Sequence, residues 1–418
     1  MAATFYDFRR RTTTVLSALL FFAVLAFGAT DPWAFAVVAC TMFVLAAAWA
    51  VRIVRQPYPA AFSWFYAPLA AVAGAGLIQM TLDRTASSYR TAGELGWWLV
   101  YCTFFALLLN VLGDISLRRD VQRRLAYLGG LVSFAAILQW VFSPQAAYGL
   151  RRAPGADLFG PFVDAETFAF LIELVFPSAL LLAFRDSERK LSLFASCTAM
   201  VAAIGVSGSL VGQGLLALEF LVTLVAATYL AARTMSRRTW RPQSLLTALG
   251  AIAIAVVLFV GLSSDVRQRL TQGFEPVDTP GVFVLTRSDV LRTSWQLFQQ
   301  QPTLGHGLGA FGPAFSSAVP RQDGFHWEHG HNDPVELAVE IGLAGIVAQA
   351  LMLALILLAA RGREMRAWVG LVMPLAVVWG HSWVRSPLRT PALVLVALTV
   401  LALLAARSDR SARTAAQA

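Results

Sequence analysis

All five histidines of this 418-residue chain fall in its last third: His306, His326, His329, His331 and His381. Three of them crowd into His326-Trp327-Glu328-His329-Gly330-His331-Asn332-Asp333. Taken singly, each reads as an ordinary solvated side chain. Grouped beside Phe311, Phe315 and Phe325, they suit proton transfer, because imidazole titrates near ambient pH. Metal binding is the competing chemistry, since His326, Glu328, His329 and His331 are all potential ligands. Their H-x-x-H-x-H spacing matches no familiar metalloenzyme signature.

Arginines supply the second signal. Leu291, Trp295 and Phe298 repeat at helical spacing, so a helix is expected from Ser288 to Gln301, ended by Pro302. Arg287 and Arg292 stand at its start. A guanidinium holds phosphate through a planar, bidentate fork and stays charged. Arginine and histidine on one segment therefore suit a phosphorylated substrate. Beyond the helix, Gly305, Gly307, Gly309 and Gly312 read as a flexible turn. A third motif, Gly205-Val206-Ser207-Gly208 continuing to Gly212, looks like the nucleophile motif of rhomboid-type intramembrane proteases, with His381 as a conceivable base. That pattern needs a histidine in an earlier span, and none precedes His306. Small residues permitting close helix packing are the better reading.

The elements that carry these residues are set by composition. Hydrophobic residues make up 57% of the chain and charged ones 14%, against about 25% charged in soluble domains. Mean hydropathy is +0.64. A soluble enzyme, a disordered chain and a nucleic-acid-binding protein are thereby excluded, despite the net charge of +9. Cys40, Cys102 and Cys197 each lie inside an apolar run, which leaves no disulfide framework or cysteine metal site. A spanning helix needs about 20 apolar residues. Runs of that order fall at 13–29, 32–51, 60–80, 96–113, 125–143, 165–184, 191–206, 214–232, 244–262, 343–360, 367–384 and 391–406, twelve in all.

Threading the chain with its N-terminus inside gives the inner segments 22 of the 33 Lys and Arg, only Lys190 being lysine. The positive-inside rule then puts both termini in the cytoplasm. Arg151, Arg152, Arg287, Arg292, Arg385 and Arg389 face the outer compartment, where headgroup snorkelling is the plain alternative for those near span ends. Residues 263–342 form one outer loop, far above ordinary connection length and rich in Trp and Phe, hence folded and functional. The expected layout is all-α and polytopic: 1–262 with nine spans, 263–342 as the catalytic loop, and 343–418 with three spans and a tail.

Within roughly residues 160–400 the chain resembles the O-antigen ligase and polymerase superfamily, bacterial inner-membrane proteins acting on undecaprenyl-diphosphate-linked glycans. Thr286-Arg287-Ser288, then Pro302 and Gly305-His306-Gly307-Leu308-Gly309-Ala310-Phe311, look like the family's Arg, Pro and G-x-G-x-G-x-F. His329-Gly330-His331-Asn332, followed by Leu337, Glu340, Gly342, Leu343 and Gly345, resembles its H-x-H-N…L…E-x-G-L-x-G signature. His381-Ser382 and Pro387-Leu388-Arg389 resemble a third block, and Gly160-Pro161-Phe162 with Pro177 a fainter fourth. Two departures stand out. Asp164 and Glu166 occupy positions where members often carry Asn, and Leu210 follows Ser207-Gly208-Ser209 where they often carry Arg.

The resemblance implies a GT-C-like architecture with a periplasmic loop, and inverting transfer of a glycan from undecaprenyl diphosphate to an acceptor sugar hydroxyl. His331 is expected as general base, with His329 second. Arg287 is expected at the leaving diphosphate, assisted by Arg292 or Arg389, with Arg151, Arg152 or Arg269 standing in for the missing Arg. Asn332, Glu340 and His381 support. With no D-x-D pair in an outer loop, neither metal nor cofactor is expected. The acceptor is lipid A–core for a ligase or a second lipid-linked glycan for a polymerase, and one large outer loop leans toward ligase. A transporter or flippase is the rival of another class, but such proteins keep ionisable groups within the spans.

Overall fold

The computed structural model describes residues 2–56, 60–143, 146–152, 158–162, 164–234, 287–319 and 328–406. The run at 244–262 lies outside the described residues, as do Thr286, His326, Arg269 and the C-terminal tail. Apart from one two-stranded ribbon, the described elements are helical, and the chain divides into two compact units.

The first unit comprises Met1–Arg118, Val277–Arg361 and Trp379–Ala418. Its helices are α1 (Ala2–Leu25), α2 (Pro32–Arg55), α3 (Tyr66–Thr81) and α4 (Ser88–Val111). The second unit comprises Arg119–Pro276 and Gly362–Val378. It holds most of α5 (Ile115–Phe142), then α6 (Ala165–Arg185), α7 (Lys190–Ser207) and α8 (Leu210–Thr234). Back in the first unit come α9 (Arg287–Gln300), α10 (Phe311–Ala318), α11 (Asp333–Ile341), α12 (Leu343–Ala360) and α14 (Pro391–Ala405), while α13 (Met373–His381) spans the boundary.

Local chemistry explains these boundaries. Pro32 and Pro391 open α2 and α14, where their missing N–H costs nothing. Ser87 caps α4 by accepting from the Arg90 amide. Arg9, buried in α1, donates through Nη2 to the Val111 carbonyl at 3.0 Å and so satisfies the C-terminal end of α4. In the first unit α4 packs against α1, α2, α3 and α14. In the second, α6 packs against α7 and α8.

Seven helices among the described residues are long and apolar enough to cross a membrane: α2, α4, α5, α6, α7, α8 and α12. The protein is a multi-pass, all-α membrane protein. The expected runs at 60–80 and 391–406 form shorter apolar helices of 16 and 15 residues. The run at 367–384 is not one helix, because a π-helical stretch, Trp368–Val372, interrupts it.

Candidate functional site

The site grows from the start of α11. Asn332 caps the helix, its Oδ1 accepting from the Val335 amide at 3.0 Å, and Asp333 and Glu336 place negative charge in the first turn. Two further bonds strap this start to residues 382–383: Asp333 N donates to Ser382 O at 3.0 Å, and Asn332 Nδ2 to Trp383 O at 2.9 Å. Asp333, Glu336 and Glu340 follow at spacings of three and four residues, which stacks three carboxyls on one helix face.

Arg389 answers them. Its Nη1 donates to Glu340 Oε1 and Oε2 at 3.0 and 2.9 Å, and its Nε lies 3.1 Å from Glu336 Oε1 and 3.7 Å from Asp333 Oδ1. Glu94 of α4 also acts on this guanidinium. The side chain is 13% exposed. Arg389, expected to assist at the diphosphate, is therefore engaged by buried carboxylates through both Nε and Nη1. Burial alone would lower its pKa, but Glu336, Glu340 and Asp333 raise it further than that. Burial pushes Asp333 up to about 8 and Glu340 up to about 7, each partly offset by Arg389. Glu336 goes the other way, because Arg389 and His329 outweigh the burial that would raise it.

The two histidines are treated oppositely by their surroundings. His329 Nδ1 lies 2.9 Å from Glu336 Oε1, while Glu336 Oε2 accepts from Gly330 N at 3.0 Å and from Ser386 Oγ at 3.3 Å. Burial lowers the His329 pKa, yet the Glu336 carboxylate more than reverses this and the net shift is upward. His331 is exposed and held at φ +51°. Burial of part of its ring lowers its pKa, and the positive charges of Arg385 and Arg287 lower it further. One imidazole is thus biased toward the cation and the other toward the neutral base. Arg287 stands exposed at the start of α9, with Arg292 exposed one turn and a half along.

The glycine-rich segment is pinned rather than flexible. His306 N donates to Val339 O at 3.0 Å, Gly307 N to Glu340 O at 2.9 Å, and His306 Nε2 pairs with Leu297 O at 2.8 Å. His306 is thereby a fastener joining α9 to α11. Gln79 of α3 completes the clamp: its amide donates to Leu304 O and Glu340 O, and its Oε1 accepts from Leu308 N. Gly305 has φ +69°, and a Cβ there would sit 2.3 Å from Glu340 O. Alanine at Gly305 is expected to cost about 2 kcal/mol or more, from the strained φ and from losing contacts that hold α11. Thermal unfolding in detergent checks this against Gly74→Ala, whose methyl meets nothing within 4 Å.

Other expectations meet different surroundings. The helix expected from Leu291, Trp295 and Phe298 forms as α9, with Leu291 43% and Trp295 57% exposed, while Val290 and Leu297 are buried with Phe311, Phe315 and Val339 and Phe298 packs against that cluster. Arg151 and Arg152 form a short strand of the second unit, paired with Ala146–Ala147. His381 is buried at the end of α13, and its carbonyl accepts from Val384 and Arg385 amides. Ser207 Oγ bonds Ile204 O and the Ser209 amide at a left-handed turn on Gly208, in keeping with a packing role. The two departures have jobs of their own. Asp164 caps α6 through Thr167, and Glu166 accepts a hydrogen bond from Ser209 Oγ. Glu94, Ser386 and Gln79 escaped sequence reasoning. Gln79 and Glu94 carried a usable signal, a lone polar residue in or beside an apolar run.

Residues 196–350, which include α9, α10 and both site histidines, match the family model described as O-antigen ligase. No curated protein matches the chain.

Proposed function

We propose that this chain, which belongs to the O-antigen ligase and polymerase superfamily, transfers a glycan from undecaprenyl diphosphate to an acceptor sugar hydroxyl, with inversion and without a metal. The observation carrying this reading is the opposite treatment of two neighbouring imidazoles, His329 bonded to Glu336 and His331 within reach of the Arg287 charge. Lowered in pKa and exposed, His331 is neutral at ambient pH and takes the acceptor proton. His329, biased toward the cation by Glu336, is assigned with Arg287 and Arg292 to the developing diphosphate charge. Arg389 positions: it fixes Glu336, which fixes His329. Asn332 and Glu340 hold the same frame.

The layout that goes with this chemistry is about twelve spans in a GT-C-like arrangement, both termini cytoplasmic, in the bacterial inner membrane. Residues 263–342 then form the periplasmic catalytic loop between spans 9 and 10. The acceptor is lipid A–core, as in a ligase.

The test is incubation of purified protein with lipid-linked glycan and either lipid A–core or excess donor. Ligated product supports the proposal. Lengthened glycan assigns a repeat-unit polymerase instead, and no covalent change points to a transporter or flippase. Loss of transfer on chelation would remove the metal-independent step.

Glu336→Gln checks the assignment of the cation. His329 owes its raised pKa to the Glu336 carboxylate, so the variant releases its proton at lower pH. The alkaline limb of the pH–rate profile should move down by about one unit. An unmoved limb would count against His329 as the cation.

A further inference from the structure

We propose that Glu219, between α6 and α8 of the second unit, is a proton-binding site inside the membrane, independent of the glycan chemistry above. Both helices are long and apolar enough to span, and a carboxyl there is costly unless it has a function. Glu219 is 0% exposed, and among the described residues neither of its carboxyl oxygens has a hydrogen-bond partner. Thr223 lies one turn further on the same face of α8, also 0% exposed, and among the described residues its hydroxyl has no partner. That is unusual for this chain. Thr41, Thr103, Thr198 and Thr399 each return their hydroxyl to the carbonyl four residues back. Thr223 does not, and its hydroxyl is left available to the carboxyl beside it.

A second acid faces the first. Glu173 of α6 is 1% exposed and acts electrostatically on Glu219, and the Phe176 and Phe220 rings pack 6.0 Å apart next to them. Pro177 stands four residues after Glu173 and has no N–H, so the Glu173 carbonyl loses its helical donor. Among the described residues, the titratable groups of α7 are Cys197 and, exposed at its first position, Lys190, and the π-helical stretch Trp368–Val372 brings none. Beside Glu219, then, stand a second carboxyl and, among the described residues, an unpartnered hydroxyl. An acid in such a place is neutralised by binding H⁺.

Carbodiimide labelling of the full-length protein in nanodiscs is the test, because dicyclohexylcarbodiimide enters the bilayer and modifies protonated carboxyls. Mass spectrometry should find an adduct on Glu219 that is absent from Glu219→Gln, declines as pH rises, and is unaffected by exchanging K⁺ for Na⁺. Two variants read the surroundings through the pH profile. Glu173→Gln removes a like charge, so labelling should end at lower pH. Thr223→Val removes a hydroxyl that can stabilise the carboxylate, so labelling should persist to higher pH. Each shift should be about one unit, a tenfold change in proton concentration. A merely structural acid would leave both profiles where they were, and that result overturns the proposal. So does an absence of adduct at every pH, and so does protection by Na⁺, which would make the ligand a metal cation.

Discussion

Arg389→Gln should lower stability by about 3–5 kcal/mol at alkaline pH, because it strands three buried carboxyls around an empty position. The pH dependence follows from the direction of each shift. Asp333 and Glu340 have raised values, so their protonated forms stabilise the fold, and that contribution is lost as pH rises through about 7 and about 8. In the variant no guanidinium offsets their ionisation, so the loss above those values should be much larger than in the parent. Acidification should return part of it, until Glu336, whose ordinary state here is the anion, begins to protonate. Arg389→Lys keeps the charge but cannot donate to Glu340 and Glu336 through one planar fork, and an intermediate loss is expected. Thermal unfolding in detergent across pH measures all of this. Equal stability of parent and Arg389→Gln at alkaline pH would mean that the guanidinium does not hold the cluster.

The largest effect on turnover should come from His331→Ala, a loss of about 10²–10⁴-fold in transfer with thermal stability retained. Retention is expected because His331 is exposed. The acid limb of the parent profile should lie below the ordinary histidine value, since both burial and the Arg385 and Arg287 charges favour the neutral ring. Transfer by His331→Ala at the parent rate would remove the general base from the mechanism. A matching loss in His329→Ala with an unchanged acid limb would be consistent with His329 acting as a cation rather than as a second base.

Much of the architecture was legible because its causes are local. Apolar runs and Pro302 ending α9 both act within a few residues. What was misread depends on partners distant in sequence. α9 forms where its periodicity predicts, but which of its side chains turn inward is decided by α10 and α11. Arg389, flanked by Pro387 and Pro391 near a span, looked like a phosphate ligand. Its real partners lie 49 to 56 residues earlier in the chain, on a helix whose acidic face was visible as Asp333, Glu336 and Glu340. Three carboxyls on one short face do demand a cation, and that demand could have been read from spacing. The glycines misled in the same way. Their positive φ values serve close docking on Glu340 and Thr85, which no count of glycines reveals.

The left-handed backbone at His331 has an evolutionary consequence. A side chain there costs about 1–2 kcal/mol that glycine would not incur. Drift toward greater robustness would therefore favour discarding the imidazole, while selection for turnover must retain it. The strap from Asn332 and Asp333 to residues 382–383 is what lets the chain tolerate that conflict, and mutations weakening the strap should be corrected first by losing the histidine.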